Sequence, residues 1–215
     1  MLKIKQFCFG PFGVNTYIVY DPDTLDAIVV DPGMSSAAEQ RRFDTFISDE
    51  HLKINQIVNT HLHLDHCFGD NYVRDRYGVK VAANVGDAFL GDDFAGQLRE
   101  FGIHTDDAKP VEIDVNLKEG DFVQVGNYKL AVLEVPGHSP GGIALYSRDG
   151  NFAIVGDSLF RGSIGRTDLP GGNYRQLIDS VGQKLFSLPE GTLVLTGHDM
   201  STSVGTEKRT NPFFH

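Results

Sequence analysis

The chain has 215 residues, an ordinary apolar fraction and 29 acidic against 19 basic side chains, for a formal net charge of -10. Its length suffices to bury an ample core, as one large α/β domain or two small ones, and its composition excludes the disordered and membrane-embedded classes. The acidic balance, with no Lys/Arg cluster, speaks against nucleic acid as a partner, because such binding usually leans on a basic stripe.

The N-terminal stretch MLKIKQFCFGPFG alternates charged and apolar residues as a strand does. It lacks the apolar segment and small-residue cleavage site of a signal peptide. No run approaches the roughly 18 apolar residues that a membrane span needs. KIKQFCF, NTYIVYD and AIVVDPG read as successive strands separated by Gly/Pro/Asp turns. After Gly33, Ser36 and Glu39 have the capping-box spacing, and Phe43, Phe46 and Ile47 recur at helical intervals. INQIVNT predicts the next strand, DNYVRDRYG a helix, KVAAN a short strand and DAFLGDDFAGQLREFG a helical stretch. From Asp121 the pattern is β again, through FVQVG, YKLAVLEVPG, IALYS and FAIVGD. NYRQLIDSVGQKLFSL is an amphipathic helix with Leu177, Ile178, Val181 and Leu185 on one side, and TLVLTGH is a last strand before a polar tail. Cys8 and Cys67 are too few for a disulfide framework, so a reducing cytoplasm is expected. No linker, repeat or low-complexity segment interrupts the chain. Clustered strands with helices between and after them predict one domain over residues 1–215, an α/β fold of two sheets sandwiched between helical layers.

Four predicted strands share one design: an apolar run ends, and a His or Asp follows within about two residues. QIVNTH ends in His61, AVLEVPGH in His138, FAIVGD in Asp157 and TLVLTGH in His198. Rigid elements can aim such residues into the crevice beyond the carboxyl ends of strands. QIVNTHLHLDHCFGD adds a cluster. Alternate side chains of an extended segment face the same way, so His61 and His63 reach one metal while Leu62 and Leu64 turn toward the core. Asp65 and His66 break the alternation and point to a second position. Neutral imidazole and carboxylate suit Zn²⁺, and they also suit Fe or Mn. Five of the eight histidines fall at these positions, too many for a polar turn with chance histidines. His138 or His198 alone would read as a satisfied core histidine; beside the cluster each reads as a ligand. Asp157 in GDS reads as a turn, a helix cap or a ligand, and Asp31 in DPG is a good turn residue. Cys67 reads as a small buried thiol, and His51, His104 and His215 as surface residues. Arg166 either anchors the fold by a salt bridge or faces an anionic substrate.

THLHLDH resembles the H-x-H-x-D-H signature of the metallo-β-lactamase fold superfamily. PGHSPGG, VGDSLFRGSIGRTD and TGHD resemble its later stations in the right order, and DPG at Asp31–Gly33 resembles its first. The resemblance covers nearly the whole chain. It implies a four-layer αββα sandwich with a metal site at one edge. His61, His63 and His138 would form the first site, Asp65, His66 and His198 the second, and Asp157 would bridge them. Asp31 would steady the ligands.

Two cations about 3.5–4 Å apart share a water, lower its pKa toward roughly 7 and polarise a carbonyl. The bridging hydroxide would attack, Asp65 would orient it, and a metal would accept a departing thiolate. No G-x-S-x-G elbow competes for this role. GDSLFRGSIGRTDLPGG and STSVGTEKRTNPFF resemble the short glyoxalase II-like (hydroxyacylglutathione hydrolase-like) branch, which implies thioester hydrolysis. Typical glyoxalase II enzymes add a C-terminal helical domain for the glutathione moiety, and this chain has no room for it after His198. The family also more often has Gly where Asp199 stands. GSIGRTD resembles persulfide dioxygenases too, whose single iron would map to His61, His138 and Asp157. A non-enzymatic metal-binding module would hold metal tightly without turnover. The expectation is a cytoplasmic metal-dependent thioesterase with two divalent ions, zinc first and Fe or Mn otherwise. Its partner would be a small-molecule thioester, with no nucleic acid and no membrane.

Overall fold

The computed structural model describes residues 1–103 and 108–215, so the surface assignment of His104 lies outside the described residues. One sheet runs in chain order: β1 (Lys3–Phe9), β2 (Val14–Tyr20), β3 (Asp26–Val30), β4 (Lys53–Val58), β5 (Lys80–Ala83) and β6 (Val115–Asn116). A second contains β7 (Phe122–Val125), β8 (Tyr128–Glu134), β9 (Ile143–Ser147) and β10 (Phe152–Gly156). The small hairpin of β11 (Leu159–Phe160) and β12 (Ser163–Ile164) follows, and β13 (Leu193–Thr196) and β14 (Thr202–Ser203) complete the second sheet beyond β10.

The side-chain period of two sorts the apolar residues into layers. In β2, Ile18 and Tyr20 face one way, while Tyr17 and Val19 face the other. The first pair joins Val29, Ile57, Phe43 and Ile47 in a core beneath α1 (Ala37–Asp49). The second pair meets Leu130, Val132, Leu145 and Ile154 of the opposite sheet. Ala153, Val155 and Val194 point away from that interface into a third core. With three cores between four layers, the αββα order follows.

Helix boundaries follow local chemistry. The Ser36 hydroxyl accepts a hydrogen bond from Glu39 N at 3.4 Å, and Glu39 Oε2 accepts one from Ser36 N at 3.1 Å. This is the predicted capping box. Glu39 Oε1 also accepts from Gly10 N at 2.8 Å, tying the helix start to the β1–β2 loop. Past Val58 come the short α2 (Leu64–Cys67) and α3 (Asp70–Tyr77), which Gly78 ends in the left-handed region at φ +67.

Two segments hold more structure than their sequence patterns announce. The helical stretch after KVAAN is two helices, α4 (Ala88–Asp92) and α5 (Phe94–Glu100), because Asp93 turns back to cap Gly96 N at 3.2 Å. The polar tail is structured. After α6 (Tyr174–Gln183), β13 is followed by β14 and by α7 (Val204–Thr210), where Val204 and Glu207 are fully buried. Glu207 accepts from Thr202 Oγ1 at 2.6 Å and from Gly162 N at 2.8 Å, a long-range use that no local pattern announces. Leu177, Val181 and Leu185 are buried as predicted, and His51 and His215 are exposed. No helix among the described residues is long and apolar enough to cross a membrane.

Candidate metal centre

Strand directions bring the candidate residues to one edge. β8 and β10 each run antiparallel to β9, and β13 runs parallel to β10, so β8, β10 and β13 end on the same side. In the other sheet β3, β4 and β5 are mutually parallel and end together. The sheets are joined at this edge: Asn15 N donates to Gly197 O at 2.7 Å and Ile143 N to Thr60 O at 2.8 Å. Asp157 directly follows Gly156, the end of β10, and His198 stands two residues past Thr196. His61 is three residues past Val58 and His138 four past Glu134, slightly farther than the two expected.

The cluster divides where the backbone changes conformation. His63 is extended (φ −68, ψ 148) and stands as the N-cap of α2. Before it, Leu62 is buried between His61 and His63, as the alternation predicts. After it, the helical turn presents Asp65 and His66 in another direction. Three groups of donor atoms result, each within 4.8 Å: His61, His63 and His138; His61, His66 and Asp157; Asp65, His66 and His198. The structure therefore brings all seven predicted donors together. His63 Nδ1 lies 2.8 Å from His138 Nε2. Asp157 sits between the outer groups, with Oδ1 3.3 Å from His66 Nε2 and Oδ2 3.6 Å from His138 Nε2 and 3.5 Å from His198 Nε2. Asp65 Oδ2 lies 3.2 Å from His198 Nε2.

Outer contacts fix the imidazole tautomers. His66 Nδ1 donates to Asp31 Oδ2 at 3.0 Å, His138 Nδ1 to Arg166 O at 2.7 Å and His198 Nδ1 to Phe12 O at 3.1 Å. Thr60 Oγ1 donates to Asp31 Oδ2 at 2.7 Å, leaving its lone pair for His61 Nδ1 at 3.1 Å. In His61, His66, His138 and His198 this leaves Nε2 as the ring nitrogen that faces inward. Asp31 thus holds one imidazole directly and another through Thr60. The supporting residues absent from the sequence reading, Thr60 and the carbonyls of Phe12 and Arg166, act through commonplace groups with no motif of their own. Arg166 lines the cleft, but its guanidinium is paired with Asp168 at 2.7 Å through both Nε and Nη2. Cys67 is buried, as expected of a small core thiol, and burial raises its thiol pKa.

Charge follows the same geometry. Burial, then the neighbouring imidazoles, holds His61 well below the usual histidine range. Burial with His138 and His66 pushes His63 down to about 3. For His66 burial opposes the charge, yet Asp65, Asp157 and Asp31 raise it well above that range. Burial would raise Asp157, but His66, His138 and His198 hold it below the usual carboxylate range. His61 Nε2, His66 Nε2 and Asp157 Oδ1 are buried with no hydrogen-bond partner. Buried polar atoms left unpaired cost about 1–3 kcal/mol each. Several converging on one point fit a divalent cation that takes nitrogen and carboxylate donors.

A cleft of about 250 Å³ opens onto the donors. Phe12, Leu64, Leu90, Phe101, Leu169 and Pro170 form its apolar wall, and Glu100 and Arg166 stand in its lining.

Residues 9–198 match the sequence profile of the metallo-beta-lactamase superfamily. The chain is 37% identical to the probable metallo-hydrolase YqgX of Bacillus subtilis, over 100% of this chain and 98% of that one. It is 34% identical to hydroxyacylglutathione hydrolase GloC of Haemophilus influenzae, over 100% and 99%. Its fold is similar to BLEG-1 B3 metallo-beta-lactamase (TM-score 0.88, 35% identity, 99% of each chain). TTHA1623, solved in a di-iron-bound form, is similar at TM-score 0.86 and 33% identity, over 97% of this chain and 99% of that one.

Proposed function

We propose, on the premise that the chain belongs to the metallo-beta-lactamase superfamily, that it is a metal-dependent hydrolase acting on small-molecule thioesters. The observation that carries this reading is the convergence of seven His and Asp donors, several of them buried and unpaired, at the floor of an apolar cleft. His61, His63 and His138 would hold one divalent cation and Asp65, His66 and His198 another, with the Asp157 carboxylate between them. Zinc suits the donor set best, and iron or manganese also fits it. Cations held there would supply Lewis acidity, which lowers the pKa of a bound water toward about 7 and polarises a carbonyl.

The chain's own residues do the rest. Asp65, held beside His198, orients the attacking water and takes its proton. Asp31 and the carbonyls of Arg166 and Phe12 keep three imidazoles in the tautomer that turns Nε2 inward. The cleft wall excludes bulk water and receives the apolar part of the substrate. A thiol leaves readily as thiolate, since its pKa is about 8.5. No proton donor is required at the wall, and Phe12, Leu64, Leu90, Phe101, Leu169 and Pro170 supply none. The relative named hydroxyacylglutathione hydrolase aligns over 99% of its length, so chain length is no argument against a glutathione carrier. The two free cysteines, Cys8 exposed and Cys67 buried, suit a reducing cytoplasm.

The test is metal content of protein purified without added metal, alongside hydrolysis of lactoylglutathione, a β-lactam, and a persulfide with oxygen uptake recorded. About two metals per chain with thioester turnover supports the reading. One iron with oxygen uptake and no thioester turnover replaces it with a dioxygenase, and tight metal with no turnover on any substrate makes the chain a binding module.

A further inference from the structure

Asp87 is fully buried, four residues past the end of β5 at Ala83, yet it belongs to no donor group. Its carboxylate accepts three hydrogen bonds. Oδ2 takes Leu62 N at 3.2 Å and Ser139 Oγ at 2.7 Å, and Oδ1 takes Gly141 N at 2.6 Å. Leu62 lies between His61 and His63, and Ser139 directly follows His138. One carboxylate thus ties the two loops that carry the three candidate first-site donors, loops that leave β4 in one sheet and β8 in the other.

The approach is built for this contact. A Cβ on Gly141 would stand 2.6 Å from Asp87 N and 2.8 Å from its carboxyl carbon. A Cβ on Gly86 would stand 3.0 Å from the Gly141 backbone. Only two facing glycines let the backbones come this close. The following peptides of the same loop are also held, because Gln97 Nε2 donates to Leu62 O at 3.0 Å while Gln97 Oε1 accepts from Leu64 N at 3.1 Å.

We propose that Asp87 is the positioning residue of the first metal site, fixing the distance between the His61–His63 loop and His138 so that the three imidazoles meet on one cation. The proposal rests on the reading that these imidazoles bind metal. Asn in place of Asp87 keeps the shape but exchanges one acceptor oxygen for a donor group. It can still satisfy Gly141 N through its carbonyl and Ser139 by reversing the hydroxyl, and then faces Leu62 N–H with its own N–H. Removing an outer partner of a metal ligand typically weakens metal binding 10- to 100-fold.

The experiment measures zinc retained by Asp87→Asn, Ser139→Ala, His61→Ala and the unaltered protein against graded chelator, with the visible spectrum of Co²⁺-substituted protein and thermal unfolding recorded on each. The expected result is about a 10- to 100-fold loss of affinity for one zinc in Asp87→Asn, a smaller loss in Ser139→Ala, and an altered Co²⁺ spectrum in both. If Asp87→Asn fails to fold, Ser139→Ala decides, because it removes one tie and leaves the carboxylate. Wild-type zinc retention and Co²⁺ spectrum with only a lowered melting temperature would make Asp87 merely structural and overturn the proposal. Unchanged zinc stoichiometry in His61→Ala would instead overturn the reading of the site itself.

Discussion

Asp31 Oδ2 lies 3.0 Å from His66 Nδ1, with both side chains buried, and Asp31 reaches this contact from a left-handed backbone at φ +50. Such a conformation is unfavourable for a residue with a Cβ, and it persists where the surroundings over-determine it. Here they do: Asp31 Oδ1 accepts from Thr60 N at 2.7 Å, and Oδ2 accepts from Thr60 Oγ1 as well as His66.

Asp31→Ala removes all three contacts and leaves His66 with only Asp65 and Asp157 beside it. Losing a buried hydrogen bond to a charged group costs about 1.5–3 kcal/mol. Denaturant unfolding of metal-free protein should show that loss. Zinc titration of whatever remains folded should show the second site weakened about 10- to 100-fold. A variant with unchanged stability and metal affinity would mean that Asp31 merely forms a turn.

Gly197→Ala tests how closely the donors are packed. A Cβ at Gly197 would lie 2.0 Å from Asp157 Oδ1 and 2.8 Å from His66 Cε1. Something must shift, and the carboxylate between the two donor groups is the nearest atom. The expected outcome is loss of one or both metals and at least a hundredfold fall in turnover, because a misplacement of about 1 Å can cost that much. Elemental analysis of the variant beside its rate decides the point, and full metal content at the normal rate would show that the carboxylate has no bridging role.

Asp199 offers the opposite case. It sits at φ +58, where glycine is at ease and Asp is tolerated, and its carbonyl accepts from Asn15 Nδ2 at 3.0 Å. Relief of strain in Asp199→Gly opposes the greater freedom of the unfolded chain, so stability should change by no more than about 1 kcal/mol. Asp199→Val cannot take this conformation cheaply and should destabilise by about 1–2 kcal/mol. Urea unfolding of both variants checks the pair.

Four donors are legible in the sequence because they stand just past apolar strands, and His63, Asp65 and His66 because they crowd behind the first of them, while DPG carries its own turn chemistry. The same strand-end logic applied to KVAAN leads to Asp87, at the spacing that separates His138 from β8. It carries no signal of its own, because a single Asp in GDAFLGDD resembles any polar turn. Gln97 left no signal, since its partners Leu62, Leu64 and Leu90 meet it only through backbone groups brought near by the fold. The structured C-terminal segment was hidden for a similar reason. Its helix is short and polar in composition, and its stability comes from Val204 and Glu207 seated against distant residues.

In metal-stripped protein the buried imidazoles should make stability respond to mild acidification, and the window follows from their shifts. His61 and His63 have folded pKa values below the ordinary histidine value of about 6.5. As pH falls below that value, the unfolded chain binds protons there and the folded one does not, so each site subtracts up to about 1.4 kcal/mol per pH unit. For His63 this continues down to about pH 3. His66 and His198 are raised, so their contribution is fully present below about 6.5 and is lost as pH rises through their folded values. Asp65 and Asp157 are lowered, so theirs is lost only as pH falls below about 3.9. Between pH 6.5 and 4 these two histidines pull stability down by up to about two protons, while the raised carboxyls of buried Asp70 and Asp87 pull the other way, because the fold keeps protons that the unfolded chain has released. Urea unfolding of the stripped protein at half-unit steps should therefore show a slope below two protons, and His63→Gln should lower it by about one. The same slope in both proteins over this range would mean that the His63 imidazole is not held neutral in the fold.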